Sequence, residues 1–393
     1  MNAPPLKLAV IAGEVSGDLL GGDLVAAIRR QFKGNVDLVG VGGDALQAEG
    51  LRSLFDFSEL SIMGFTQVLP KVPLLLWRIR QTARAIVAAR PDVLVIIDSP
   101  DFTHRVARIV RRHLPDLPIV DYVCPSVWAW KEERAPRMRA YVDHVLAILP
   151  FEPDVMRRLG GPETTYVGHR LTSAPEIAVV RRQRSERASG SDTAPATLLL
   201  LPGSRTGEIT RLLPLFEATV AELAPRCPGL RLLLPTPPRR EKLVHEITAK
   251  WAITPEITTS ETDKWRAFGE ADAALAASGT VILELGLAGV PTLSCYVADW
   301  IVKLMAHRIK IWTAALPNLI ADYPVVPEYI NEMIRPGLIA RKLERLMADT
   351  PERQLMLDGY ETVWQRMQTE RSAGETAASI VLAIAERQRP GQN

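Results

Sequence analysis

Residues 6–12, LKLAVIA, form a short apolar run that stops at Gly13 and gives way to a segment of helical period, GDLVAAIRRQF. That order then repeats along the chain. DLVGVGG reads as a second strand closed by Gly42 and Gly43, and LLLWRIRQTARAIVAAR as the helix after it. PDVLVIID is a strand opened by Pro91 and ended by Asp98; the helical DFTHRVARIVRRHL and the strand PIVDYVC follow. HVLAILPF reads as the last strand of this half. Continuous apolar runs of this length suit strands covered on both faces, and their alternation with helices builds a parallel α/β sheet.

The pattern breaks at RRQRSERASGSDTAPA, residues 181–196, a charged, small and polar stretch with the composition of a linker. It then restarts. TLLLLPGSR is a strand with a glycine turn, LRLLLPT and ADAALAAS are strands, GTVILELGLAG is a helix and VPTLSCYV a strand. RPGLIARKLERLMADT and TAASIVLAIAERQ close the chain as helices. The halves share architecture without a sequence repeat. The expected fold is α/β, two Rossmann-like domains facing a cleft, with C-terminal helices packing back on the N-terminal domain. The expected divisions are residues 1–170, a linker 171–196, a second domain 197–355 and closing helices 356–393. A chain of 393 residues is long enough for this.

Charge excludes one class of partner. Lys and Arg number 47 against 45 Asp and Glu, a net +2, which makes no case for nucleic acid. Three scattered cysteines, Cys124, Cys227 and Cys295, argue against a disulfide framework or a zinc site. MNAPPLKLAVIAGE lacks the apolar core of a signal peptide, and no run reaches spanning length. The expectation is a protein made in the cytoplasm, soluble or peripheral.

The second half carries anion chemistry. In AASGTVILELGLAG a strand ends at Ala277, and Ser278, Gly279 and Thr280 turn into a helix. The first amides of a helix lack intrahelical partners and favour an anion. Ser278 or Thr280 can cap that helix or offer a hydroxyl to a phosphate. Glu284 lies on the same face as Thr280, where a carboxylate suits ribose hydroxyls better than phosphate, or is simply solvated. In LLLLPGSRTGEI, Arg205 follows a strand end on a glycine turn, either as a forked phosphate ligand or as an ordinary surface residue. Neither loop is a P-loop or a dinucleotide fingerprint, and without a D-x-D a metal clamp on a diphosphate lacks its simplest ligands.

In the first half VIIDSPDF ends a strand with Asp98, well placed as a general base for a hydroxyl. Asp101 reads as the cap of the next helix, and His104 and His113 as polar helix-surface residues. IMGFTQVLPKVPLLLWRIR, residues 62–80, mixes Met63, Phe65, Val68, Leu69, Leu74, Leu75, Leu76 and Trp77 with Lys71, Arg78 and Arg80. That composition suits either an interfacial segment or a core helix with a loop. VCPSVWAWKEERAPRMRAY adds Trp128, Trp130, Lys131, Arg134, Arg137 and Arg139, which can line an amphiphile's path or pack beside a solvated face.

Taken together, AGEVSGD, GVGGDALQAEG, SIMGF, IDSPDF, PSVWAWK, LPFE, YVGH, LLPGSR, ASGT with Glu284, and LPNLIA resemble, in order and spacing, the lipid-A-disaccharide synthase family of GT-B-type glycosyltransferases (family 19). The resemblance implies transfer of diacylglucosamine from UDP-2,3-diacylglucosamine to the 6-hydroxyl of 2,3-diacylglucosamine 1-phosphate, lipid X. The products are a β-1,6-linked disaccharide 1-phosphate and UDP, and the resemblance implies that no metal or bound cofactor takes part. Going from an α donor to a β product requires inversion, hence a base at the acceptor and help for the leaving diphosphate. Asp98 becomes the base; Arg205, Ser278, Gly279 and Thr280 the diphosphate ligands; and Glu284 the ribose ligand. Asn318 in LPNLIA matches an active-site position of the family, and Asn331 in EYINEM stands where the family often has Gln.

The resemblance also turns residues 62–80 into a contact with lipids of the inner face of the cytoplasmic membrane. By elimination the opening loop, VIAGEVSGDLLGGDL, belongs to the acceptor side. There Gly17 lets backbone approach an acyl-sugar, Glu14 and Ser16 are polar contacts and Asp18 is a helix cap. An exchange of C-terminal helices in a homodimer is compatible with the family, though nothing in TAASIVLAIAERQ requires it. Another UDP-sugar transferase or epimerase, or a non-catalytic nucleotide-binding protein, would keep the second-half motifs without needing lipid X.

Overall fold

In the computed structural model, which describes residues 4–60, 72–188, 195–298 and 310–388, the apolar runs become two parallel sheets of six strands each. The first holds β1 (Leu6–Ala12), β2 (Val36–Val41), β3 (Val93–Ile97), β4 (Ile119–Tyr122), β5 (His144–Ala147) and β6 (Glu163–Tyr166), in the order β2-β1-β3-β4-β5-β6. Alternate residues of β1 face opposite ways into two cores. Leu6, Leu8 and Val10 meet helix Val15–Gln31 and helix Ala373–Gln388. Ala9 and Ile11 share a core with Ile79, Ala83 and Ile86 of helix Val72–Ala89. Burial on both faces is why these strands read as continuous apolar runs instead of alternating ones.

The second sheet holds β7 (Thr197–Leu201), β8 (Arg231–Pro235), β9 (Glu256–Thr258), β10 (Ala273–Ala277), β11 (Thr292–Tyr296) and β12 (Glu328–Ile330), in the order β12-β11-β10-β7-β8-β9. Three strands were not anticipated: β6, β9 and β12. HVLAILPF is therefore not the last strand of its half, since β6 follows it and pairs with β5. Each missed strand lies at a sheet edge, where ETTY, EIT and EYI are short, largely polar and incompletely buried, and so leave no apolar run.

The chain divides into two units, residues 1–170 with 369–393, and residues 171–368. Helix Ala373–Gln388 returns to the first unit, where Ala377, Ala378 and Val381 are fully buried in its core. Residues 175–188, placed within the expected linker 171–196, form a helix of the second unit. Its arginines explain both readings. Arg184 donates to the carbonyls of Gly289, Phe268 and Ala271, and Arg181 to that of Leu287. A charged face that looks solvated in sequence thus caps the carboxyl ends of neighbouring helices.

In each sheet the strand order reverses once, between β1 and β3 and between β7 and β10. Parallel sheets bind ligands beyond the carboxyl ends of their strands at such a reversal. Asp98 follows β3, and Arg205 and Ser278 follow β7 and β10.

Candidate functional site

In the second unit, a pocket of about 630 Å³ opens at the reversal. It is lined by Arg205, Ser278, Gly279, Thr280 and Glu284, which sequence reasoning had singled out, and also by Thr236, Ser260, Glu261 and Lys264, which it had not. Helix Thr280–Ala288 begins here with no side-chain cap, so neither Ser278 nor Thr280 occupies its first amides. Around Gly279 the space is open: a Cβ built there meets no atom within 4 Å. An uncapped, accessible helix start is an anion site.

Arg205 is the N-cap residue of helix Thr206–Leu223 and is largely exposed. Its Nη1 lies 3.0 Å from Glu208 Oε1, and its backbone N–H donates to Glu208 Oε2 at 3.3 Å. Gly203 makes this turn possible. Its φ is +96°, and a Cβ there would come within 2.4 Å of Glu208 Oε2. Glu284 is paired with Lys264, Oε2 to Nζ at 2.8 Å. Lys264 also reaches Glu261 at 3.1 Å, and its ammonium lies over the Trp265 ring at 4.9 Å. Burial pulls the Lys264 pKa down, but the two carboxylates outweigh it and hold the ammonium above its usual range. Lys264 escaped sequence reasoning because TTSETDKW carries no apolar period and follows the unrecognised β9.

In the first unit, Asp98 leaves β3 in the left-handed region, φ 54°, followed by Ser99 at 45°. At the end of β4, Val123 has φ 86°, an uncommon conformation for a β-branched residue. Strain of this kind persists where the surroundings over-determine it, often at functional sites. Here the surroundings are specific. Thr103 Oγ1 donates to the Asp98 carbonyl at 2.7 Å, Ser99 N–H to Asp98 Oδ1 at 2.7 Å and Ser16 Oγ to Asp98 Oδ2 at 3.4 Å. Gly17 packs beside this turn, where a Cβ would stand 3.3 Å from the Ile97 carbonyl and 3.5 Å from Asp98 Cβ. Ser16, Gly17 and Asp98 are thus brought together, while Glu14 is the exposed N-cap residue of helix Val15–Gln31.

Several expectations change. Asp18 is a cap, but of the next helix. It is buried and accepts the N–H groups of Gly43 at 2.7 Å, Ala45 at 2.9 Å and Leu46 at 3.2 Å, at the start of helix Asp44–Ala48. Asp101 is exposed and caps nothing; helix Thr103–His113 starts without a side-chain cap, because the left-handed turn brings Thr103 to the Asp98 carbonyl. His104 is buried, not on the surface, with Nε2 3.1 Å from Asp121 Oδ2 and Nδ1 3.1 Å from the Tyr141 hydroxyl. His113 is exposed as expected.

Asn318 is buried with its amide committed internally. Oδ1 accepts Val325 and Val326 N–H at 2.8 and 2.7 Å, and Nδ2 donates to Thr313 Oγ1 and the Val326 carbonyl. It braces residues 313–326. Asn331 sits at φ 51°, and its Oδ1 accepts the Ala298 N–H at 2.8 Å. Asn tolerates that left-handed backbone better than most residues, which accounts for this residue type at this turn.

On the apolar segment, Met63, Phe65, Val68 and Leu69 lie outside the described residues. In helix Val72–Ala89, Val72, Leu74 and Trp77 are exposed, whereas Leu75 and Leu76 pack against the first unit's core. Arg78 is tied to Glu59 at 2.6 Å and stacks on Phe55 and Trp77. Trp128 donates its indole N–H to Glu152 at 3.2 Å and packs on Phe151, while Trp130 is exposed beneath Lys131. Among the described residues no helix is long and apolar enough to cross a membrane.

Comparison with known proteins narrows the chemistry. The sequence profile of the lipid-A-disaccharide synthetase family matches residues 8–382. The lipid-A-disaccharide synthase of Nitrobacter winogradskyi is 49% identical over 96% of both chains, and that of Rhodospirillum centenum 38% identical over 99% of both. Among solved structures, MurG of Acinetobacter baumannii superposes with a TM-score of 0.58 at 14% identity, covering 96% of this chain and 100% of its own. Staphylococcus aureus MnaA, solved with UDP, gives 0.60 at 13% identity over 99% of both. At such identities these neighbours establish the fold alone.

Proposed function

The chain belongs to the lipid-A-disaccharide synthase family, and from that membership we propose how its residues carry the reaction. It is a glycosyltransferase of GT-B architecture whose role is synthesis of the lipid A disaccharide. The donor is UDP-2,3-diacylglucosamine and the acceptor lipid X. The observation that carries the reading is the second-unit pocket, where an uncapped helix start, a guanidinium and a paired carboxylate converge at the strand-order reversal.

The UDP diphosphate lies on the amides of helix Thr280–Ala288 with Ser278, Gly279 and Thr280, and Arg205 exchanges Glu208 for phosphate oxygens. Glu284 accepts from the ribose. Asp98 takes the proton of the acceptor 6-hydroxyl as that oxygen attacks the anomeric carbon. The bond from that carbon to the diphosphate oxygen breaks, its electron pair leaves with UDP, and the helix start and Arg205 stabilise the charge that develops. One new C–O bond replaces one broken C–O bond, with inversion.

Ser16, Gly17 and Glu14 border the acceptor beside Asp98, and Asn318 and Asn331 brace loops of the second unit through their side-chain amides. The acylated substrates bring the protein to the inner face of the cytoplasmic membrane, with Leu74 and Trp77 among the side chains that meet it.

UDP release from UDP-diacylglucosamine, measured with and without lipid X, tests this. Wild type should form UDP only with acceptor. Asp98→Asn should lose at least about a thousandfold in kcat with UDP affinity unchanged. Turnover surviving in Asp98→Asn removes Asp98 as the base, and UDP formed without acceptor removes the transfer reaction.

A further inference from the structure

A carboxylate at the mouth of a diphosphate site needs a reason. Without a counter-charge, Glu208, Glu261 and Glu284 would oppose Arg205 alone among the pocket's charged lining residues, and an incoming diphosphate would meet net repulsion. Lys264 reduces that excess, from three carboxylates against one cation to three against two, and its placement is specific. It lies in helix Glu261–Glu270, whose start is fixed by Ser260 Oγ accepting the Asp263 N–H at 3.0 Å. The aromatic rings of Trp265 and Phe268 flank its ammonium at 4.9 and 5.8 Å. The Lys264 side chain is 21% exposed and that of Glu284 19%, so their 2.8 Å pair is well shielded from screening. Glu284 Oε2 is buried on the lysine side, yet the residue still lines the pocket.

We propose that Lys264 is the positioning residue for ribose recognition: it pins one oxygen of Glu284 so that the other presents a fixed acceptor to the ribose hydroxyl pair, selecting ribonucleoside over 2′-deoxyribonucleoside diphosphates. The proposal rests on the assignment of Glu284 to the ribose. A carboxylate free to rotate can follow water or turn toward the diphosphate; one held by an ammonium has a single direction left to offer. Hydrogen bonds to a charged acceptor are strong enough for the loss of one hydroxyl to register clearly.

Calorimetric titration of the full chain with UDP and with 2′-deoxy-UDP tests the idea, using wild type, Lys264→Met, Lys264→Arg and Glu284→Gln. Wild type should bind UDP about tenfold or more tightly than the deoxy analogue. Lys264→Met, which keeps the stem packed on the rings, should bring the two affinities within about twofold, and Lys264→Arg should restore most of the preference. In turnover, Lys264→Met should raise KM for the donor about tenfold at nearly unchanged kcat. A Lys264→Met protein that keeps the wild-type preference overturns the proposal, provided Glu284→Gln abolishes it. If Glu284→Gln also keeps the preference, the ribose assignment falls with it. A melting curve for each variant separates these outcomes from misfolding, and Lys264→Gln, which also removes the charge, carries the test should Lys264→Met fail to fold.

Discussion

Glu152 shows how a single residue links the site region to stability. It is 2% exposed and accepts the Trp128 indole N–H and the Leu149 N–H, holding the loop after β4 against the helix after β5. Burial pushes its pKa up to about 8; the N–H donors of Leu149, Trp128 and Ile148 pull the other way without prevailing, and the charge of Asp121 adds to the rise. The sign follows from the proton count. With a folded pKa above the ordinary carboxylate value of 4.5, the folded protein binds the proton more tightly than the unfolded chain. Its contribution to stability is full below pH 4.5 and is lost as pH rises toward 8. Urea unfolding between pH 5 and roughly 8.5 should show stability falling for wild type and a flatter curve for Glu152→Gln. Parallel curves would mean that Glu152 ionises normally. In sequence, LPFE shows only a helix-start glutamate; its burial comes from packing, which has no local signature.

At the level of elements, the long apolar strands and their glycine turns were legible because burial on both faces leaves a pattern in the chain itself. The partners of caps were not. Asp18 satisfies a helix that starts 26 residues later, and the helix that Asp101 is expected to cap starts without a side-chain cap, its Thr103 hydroxyl donating back to the Asp98 carbonyl. Local spacing finds a candidate cap; which amides it meets depends on the neighbouring strand.

The helix Val72–Ala89 illustrates the same limit for surfaces. Its apolar start was evident, but only packing separates the exposed Leu74 and Trp77 from Leu75 and Leu76, which support the core. Serine at Leu75 or Leu76 would weaken the fold as well as any lipid contact. Leu74→Ser with Trp77→Ser should instead leave the melting temperature nearly unchanged and weaken binding to anionic vesicles more than tenfold, since each such side chain contributes about 1.5–3 kcal/mol when fully buried. Flotation of both proteins with phosphatidylglycerol vesicles checks this; equal flotation would place the membrane contact elsewhere.

Across the whole molecule, the first unit is completed only by the last residues of the chain. Ala377, Ala378, Val381 and Ala385 of the closing helix share a core with Leu24, Val25 and Ile28. Small residues let that helix sit close to helix Val15–Gln31. Ala378→Glu, which buries an unpaired carboxylate there, should destabilise the protein by about 3 kcal/mol or more, against less than about 0.5 kcal/mol for a glutamate at the exposed Arg387. Equal melting of the two variants would show that the helix does not hold the unit together.

The amino-acid sequence determined the α/β class, the two-fold architecture, the family and the identity of the strand-end loops, because each is written in local period, turn chemistry or ordered motifs. Only the tertiary structure decided which charges face one another. Lys264 on Glu284, Asp18 on a distant helix and His104 on Asp121 are pairs across elements, set by how strands and helices pack. A charge in sequence has no partner until packing supplies one, and in this protein the partner decides whether a carboxylate repels a diphosphate or reads a ribose.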